Sequence, residues 1–229
     1  MRTFLALAIM VCASAPAADN PELTAVYQRM DRAAAAFKGF TANLEKIDHQ
    51  DFVDATDKSE GTIAVRKAGP HNVQVLEKIQ TLNGKPDAEE TEYNGARVTI
   101  YHPKINTANE YEVGKKYRGT EQAALTIFGG SSKDLQQDYK VAYGGPDTVA
   151  GQPATRLVLT PIDPELAKNF PKIELWISDS SGNVVQQKFY EPGEKDYHLF
   201  TYSHANYGPV SEDQVKMKIP KDAKRERPH

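Results

Sequence analysis

The chain has 229 residues, with 28 lysines and arginines against 31 aspartates and glutamates and a formal charge of −3. That balance excludes a protein built to hold nucleic acid, whose domain would carry a basic face, while length and composition suit one domain with an ample core and no internal repeat. The single cysteine, Cys12, excludes a disulfide scaffold.

Arg2 precedes the apolar run from Phe4 to Ala13, and small residues follow through Ala17. This is the pattern of a secretory signal with cleavage options after Ala15 or Ala17, and it is short for a membrane span. Residues 1–17 are therefore read as a signal peptide, 18–220 as the folded domain and 221–229 as a basic tail. Nothing polar alternates within the run, which argues against a buried first helix. Cys12 lies inside it, so the mature chain is expected to be thiol-free. Val11 stands where a lipidation signal wants a small residue, and no lipid on Cys12 is expected.

Asn20 and Pro21 read as helix cap and first helical residue, with Glu22 placed favourably against the helix dipole. Leu23, Val26, Tyr27, Met30, Ala33, Ala34 and Phe37 recur at three- and four-residue steps. They form the apolar stripe of a helix that Gly39 stops and that must lie on a sheet. Phe40 to Ile47 reads as the first strand, followed by a polar linker through Gly61. Within it Asp48, Asp51, Asp54 and Asp57 lack the spacing and central glycine of a calcium loop and read as solvated.

Thr62 to Lys67 and Asn72 to Ile79 alternate as strands, and Asn83 to Glu90 reads as a polar hairpin tip. Asn94-Gly95 turns the chain into a strand through Val98, Ile100 and Tyr101; His102-Pro103 ends it, and Thr107 to Val113 returns. Gly119 to Asp138 changes character. Glu121 to Phe128 and Ser132 to Asp138 read as two short helices around Gly129 and Gly130, with Ser131 as a cap. Strands resume at Tyr139 to Tyr143 and Ala154 to Thr160, and a loop from Pro161 to Pro171 follows.

The clearest stretch is Lys172 to Tyr202. Ile173, Leu175 and Ile177 alternate with Glu174, Trp176 and Ser178, and turns at Asp179 to Asn183 and Glu191 to Asp196 produce a β-meander through Val184 to Tyr190 and Tyr197 to Tyr202. Trp176 falls on the face opposite Ile173, where cover by the N-terminal helix is expected. The tail residues Lys221, Lys224, Arg225 and Arg227 read as a solvated terminus. The fold class is mainly β with helices. Ten or eleven antiparallel strands curl into a sheet with a concave interior whose mouth helices can cover.

The residues offer no catalytic constellation. There is no G-x-S-x-G, no H-E-x-x-H and no glycine-rich phosphate loop. His49, His71, His102, His198, His204 and His229 show no metal-ligand spacing, so neither metal, cofactor nor enzymatic activity is expected.

The order of features resembles the periplasmic lipoprotein carriers of the LolA type over nearly all of the mature chain. Four local matches carry it: Gly61-x-Ile63-x-Val65-Arg66-Lys67 with Pro70 nearby; Asn94-Gly95 leading to Ile100-Tyr101-His102-Pro103; Leu157-Val158-Leu159-Thr160-Pro161; and Ile173-x-Leu175-x-Ile177 before Gly182. The resemblance implies an unclosed β-barrel with a helical lid, located in the periplasm and acting as a monomer. Its apolar cavity would accept lipoprotein acyl chains.

By alternation that cavity is lined by Leu44, Ile63, Val65, Val75, Val98, Ile100, Leu175 and Ile177. The family's lid-contacting arginine falls on Lys67 with Arg66 adjacent, and lysine cannot make arginine's planar bidentate contact. Leu125 and Phe128 are the lid's expected contact residues. The function implied is shuttling of acylated lipoproteins from an inner-membrane releasing transporter to an outer-membrane acceptor. The alternative is a lipid or lipoprotein sensor of the same fold acting through protein partners.

Overall fold

The structure is a computed structural model that describes residues 20–69, 72–112 and 127–227. Twelve strands form one sheet: β1 (Gly39–Gln50), β2 (Ala55–Gly69), β3 (Asn72–Leu82), β4 (Lys85–Asn94), β5 (Arg97–His102), β6 (Thr107–Glu112), β7 (Tyr139–Val149), β8 (Gln152–Pro161), β9 (Lys172–Ser178), β10 (Val184–Tyr190), β11 (Tyr197–Tyr207) and β12 (Lys224–Glu226). Their spatial order is β12-β6-β5-β4-β3-β2-β1-β11-β10-β9-β8-β7. Two meanders, β1 to β6 and β7 to β11, are therefore stitched together by the antiparallel pair β1–β11. The first and last strands of the order, β12 and β7, do not meet, so the sheet is unclosed.

Several boundaries differ from the sequence reading, and the reasons are physical. The polar linker expected after Ile47 is strand: β1 continues to Gln50, a short turn spans Asp51–Val53, and β2 starts at Ala55. Its alternation is hidden because both faces of the hairpin's far end carry polar residues, which pair across the ladder instead of burying a face. At its tip Phe52 is 97% exposed. The hairpin tip at Asn83 to Glu90 is likewise a two-residue turn, Asn83-Gly84, followed at once by β4.

The basic tail is solvent-exposed, as expected, yet it joins the sheet. Lys224–Glu226 adds to the sheet as a parallel strand beside β6, and Arg225 and Arg227 reach Glu110 at 2.6 and 3.3 Å. Inside the Pro161 to Pro171 loop a six-residue helix, Pro164–Asn169, is capped by Asp163, whose Oδ1 accepts from the Glu165 and Leu166 amides.

Three helices stand among the described residues: α1 (Pro21–Ala36), α2 (Ser132–Asp138) and α3 (Pro164–Asn169). Asn20 Oδ1 accepts from Leu23 N at 3.0 Å and starts α1 as the sequence predicts. Ser131 and Asp134 form a reciprocal capping box at the start of α2. Of the other expected mid-chain helix, Glu121 to Phe128, all but the last two residues lie outside the described residues, as do residues 1–19 with Cys12. No helix among the described residues is long and apolar enough to cross a membrane.

Alternation gives the sheet two faces. On the face that we term inner, α1 buries Val26 and Met30 against Leu157, Leu159, Ile173, Leu175 and Ile177, an aliphatic region joined by Leu135 of α2 and Leu166 of α3. Beside it lies a second, aromatic region. On the outer face the C-terminal segment buries Val210, Val215 and Met217 against Leu76, Tyr101 and Ala108. Trp176 is also on the outer face. It packs with Val149 and Ala154, and its indole donates to Asp147 Oδ2 at 2.8 Å, so its cover comes from the neighbouring hairpin and not from α1.

Candidate functional site

The inner face is the candidate site. Its rows follow from register: Tyr207, Phe40, Val65, Val75, Tyr93 and Val98 run straight across six strands, and the next row carries Ala42, Ile63, Glu77, Thr91, Ile100 and Asn109. The eight residues that the sequence assigns to a lining therefore share one face. Leu44, Ile63, Val65 and Val75 belong to the aromatic region, and Leu175 and Ile177 to the aliphatic one. Val98 is buried and Ile100 half-buried at the β5 end of the same rows.

Aromatic rings complete the region around Phe40, and most were missed by the sequence reading. Phe128 sits 5.1 Å from Phe40 and 5.2 Å from Tyr202, centroid to centroid; Tyr207 is 5.5 Å and Phe37 6.4 Å from Phe40. Phe37 comes from the end of α1, Phe128 from the turn at residues 127–129, and the rest from β1 and β11. The signal was available in part. Phe40, Ala42 and Leu44 alternate in sequence, but the pairing of β1 with β11 spans the whole chain and only the fold reveals it.

Phe128 is brought down onto this cluster by Gly129. That residue has φ +72, and a Cβ on it would lie 2.2 Å from the Phe37 ring, so both conformation and space demand glycine. Of the expected lid residues Phe128 is thus in contact with the inner face, while Leu125 lies outside the described residues. The basic pair divides. Arg66 donates to Gln74 Oε1 at 2.7 Å, and Gln74 in turn to Asn94, all on the outer face. Lys67 is exposed and pairs in register with Val73, which packs on the aromatic region.

Polar groups interrupt the apolar inner face. Lys46 Nζ lies 3.6 Å from Glu77 Oε2 and 5.4 Å from the Phe200 ring centre. Gln187, 2% exposed, donates from Nε2 to the Tyr202 hydroxyl, while its Oε1 and the Tyr207 hydroxyl are buried without a partner among the described residues. Burial, helped by the charge of Glu77, pushes the Tyr202 phenol well above its ordinary value, and burial pushes Tyr207 to about 12. Both phenols stay neutral at physiological pH.

The cover over the aliphatic region is tied down. Arg29 of α1 donates from Nη2 to Asp179 Oδ1 at 2.9 Å and to Thr155 Oγ1 at 3.1 Å, and Asp31 accepts from Ser132 N and Oγ of α2 at 2.7 and 3.0 Å. Gly182, with φ +72, lets the β9–β10 turn pass directly under α1; a Cβ there would meet the Arg29 carbonyl oxygen at 2.3 Å. A recess of about 10 Å³ remains between Met30, Ile127, Leu135, Tyr139 and Leu175. That leaves room for at most one ordered water, so in this conformation the aliphatic region is packed.

At the rim His198 bridges two acids, with Nδ1 2.5 Å from Asp48 Oδ1 and Nε2 2.9 Å from Glu191 Oε1. The hydrogen bond to Asp48 holds the imidazole above its ordinary value and the Asp48 carboxyl below its own. Asp48, expected as part of a solvated loop, is thus a strand residue in an ion pair. Among the described residues no group of three or more His, Cys, Asp or Glu is placed to hold a metal ion.

Known structures share this fold. The chain is similar to an uncharacterized conserved protein from Thermus thermophilus, with 13% identity, a TM-score of 0.56, and coverage of 90% of this chain and 99% of that one. It also matches LprF from Mycobacterium bovis (15% identity, TM-score 0.46, 89% and 98% covered) and the LolA superfamily protein NE2245 from Nitrosomonas europaea (11%, 0.41, 85% and 97%). No family model matches the chain, and no curated protein does. At these identities the likeness is one of fold, and the Thermus chain carries it. The unclosed antiparallel sheet with helices on one face is the architecture that the resemblance to LolA-type carriers implies, and the resemblance holds at that level.

Proposed function

We propose that the protein is an extracytoplasmic carrier whose inner face takes up the acyl chains of lipoproteins, moving them from an inner-membrane transporter to an outer-membrane acceptor. The observation that carries this reading is the aromatic region. Seven of the eight expected lining residues are buried on one continuous face, and part of that face is covered by two rings, Phe37 at the end of α1 and Phe128 on a turn outside the sheet ladder. An acyl chain gains about 0.8 kcal/mol for each methylene removed from water, so a ligand with several chains can displace such a cover.

In this conformation Phe37 and Phe128 cover the aromatic region. Lifting the 127–129 turn withdraws Phe128 from Phe40 and Tyr202 without breaking a strand pair. Gln187 Oε1 and the Tyr207 hydroxyl then offer an acceptor and a donor to the polar end of an amphiphile. The resemblance to LolA-type carriers accords with this reading.

The test is mass spectrometry of lipids extracted from protein exported and purified under native conditions. Diacyl or triacyl species in stoichiometric amount support the carrier. Protein that carries no acylated species, even when expressed with an excess of lipoprotein, overturns it.

A further inference from the structure

We propose that the outer face carries a second binding site, for a phosphorylated polyol, in the groove between the sheet and the C-terminal segment. The groove has a volume of about 460 Å³, which exceeds what a lone inorganic anion needs. It exists because the segment after β11 is held off the strands. Val210, Val215 and Met217 are its buried anchors, Ser211 and Gln214 close a tight capping box, and the Met217 amide donates to Glu92 Oε2 at 2.6 Å.

The floor of the groove is part apolar, with Ala64 and Leu76, and part polar. Thr41 and Asn43 of β1 and Thr62 of β2 present hydroxyls and an amide, which donate to and accept from the hydroxyls of a polyol. The walls are cationic. Lys216 and Lys218 line one side and Lys78 the other, against Asp213 as the acid of the groove. Lys78 is held by Glu90 at 3.1 Å, whereas neither Lys216 nor Lys218 has an ion-pair partner among the described residues. The surplus of positive charge suits an anionic phosphate.

A backbone irregularity aims one more donor at the same place. The β1–β11 register slips between Thr41 and Asn43, and opposite the slip His204 takes φ +52, a left-handed conformation that costs a non-glycine residue in a strand. Bulges re-aim side chains, and here the ring lines the groove. Asn43 Nδ2 is 3.3 Å from His204 Nδ1; an amide nitrogen only donates, so Nδ1 accepts and Nε2 keeps its hydrogen. Three lysines, a ring N–H and two threonine hydroxyls in one cleft match phosphate joined to a polyol. The glycerophosphate headgroup of a lipid and a free sugar phosphate share that chemistry.

The experiment titrates glycerol 3-phosphate into the folded chain and follows backbone amide shifts and heat. Saturable binding with shifts at Thr41, Asn43, Thr62 and the 213–218 segment is expected, with none for glycerol. The exposed double variant Lys216→Gln/Lys218→Gln should keep its circular dichroism and its acyl-probe binding while affinity for glycerol 3-phosphate falls by about tenfold or more, the loss expected when charge-assisted hydrogen bonds are removed. Competition by phosphatidylglycerol vesicles, not phosphatidylcholine vesicles, assigns the ligand to a lipid headgroup; absence of competition assigns it to a free phosphorylated polyol. No saturable binding, equal binding by the double variant, or shifts confined to the inner face would overturn the proposal.

Discussion

The aliphatic and aromatic regions share the inner face, yet they are closed in different ways. Over β8 to β10, α1 brings a stripe of side chains, two anchoring hydrogen-bond sets through Arg29 and Asp31, and a glycine-enabled contact with the β9–β10 turn. Over β1 to β3 the cover is Phe37 from the helix end and Phe128 from a turn, held by ring contacts. The first arrangement cannot yield without losing a helix and its ion pair. The second can yield by moving one turn. A carrier needs both, one region to keep the fold intact while the other admits and releases cargo.

The comparison breaks most severely at the aliphatic region. Leu157 is fully buried there, and Leu157→Ala should lower unfolding free energy by about 2–5 kcal/mol in a denaturant titration, because the packed surroundings cannot collapse into the space. Gly182→Ala should follow at about 1–3 kcal/mol, since φ +72 is strained for alanine and the new methyl group meets the α1 backbone. Hydrogen exchange should register it as lost protection along α1.

In the aromatic region the same chemistry should cost less. Phe128→Ala is expected to lower stability by about 1–2 kcal/mol, below the range of about 3–5 usual for a core phenylalanine, because the turn can resettle over Phe40. A loss as large as that of Leu157→Ala would make the two regions equivalent. Val65→Glu tests something else. Val65 is fully buried beside Phe40 and Val75, so a carboxylate there has no partner and reports on folding, not on cargo.

Rim electrostatics sharpen the comparison through pH. A histidine whose pKa the fold raises stabilises fully below its ordinary value of 6.5 and loses that contribution as pH climbs through the raised value. Asp48, lowered, stabilises above its ordinary 3.8 and loses the contribution as pH falls through the lowered value. His198→Asn should therefore cost most between those two ordinary values and least in alkali, as read by denaturation midpoints at about pH 5 and about pH 9. A gap that widens toward alkali would contradict the pairing. The smallest effect belongs to Phe52→Ser at the hairpin tip, expected within about 0.5 kcal/mol of the parent because the ring touches almost nothing.

Legibility in the sequence followed the same division. Ile173, Leu175 and Ile177 alternate against polar neighbours, and α1 shows a clean stripe, so the aliphatic region and its helix were readable from local pattern. Leu44, Ile63, Val65 and Val75 were readable as one face for the same reason. The aromatic cover was not, because it joins Phe40 to Tyr202 and Tyr207 through the pairing of strands from opposite ends of the chain. Strands whose two faces are both polar, such as the far ends of β1 and β2 and most of β4, carry no period to read. The tail strand β12 was missed because Arg225 and Arg227 serve an ion pair with Glu110, which composition alone reads as solvation.

The central claim is that the aromatic region opens while the aliphatic region stays shut, and stopped-flow binding of an environment-sensitive acyl probe tests it most directly. The parent should bind the probe saturably. Phe128→Ala should take it up and release it faster, and Arg29→Ala, which loosens the other cover, should leave both rates within about twofold. A parent that never binds the probe, or an Arg29→Ala variant that accelerates uptake while Phe128→Ala does not, would contradict it.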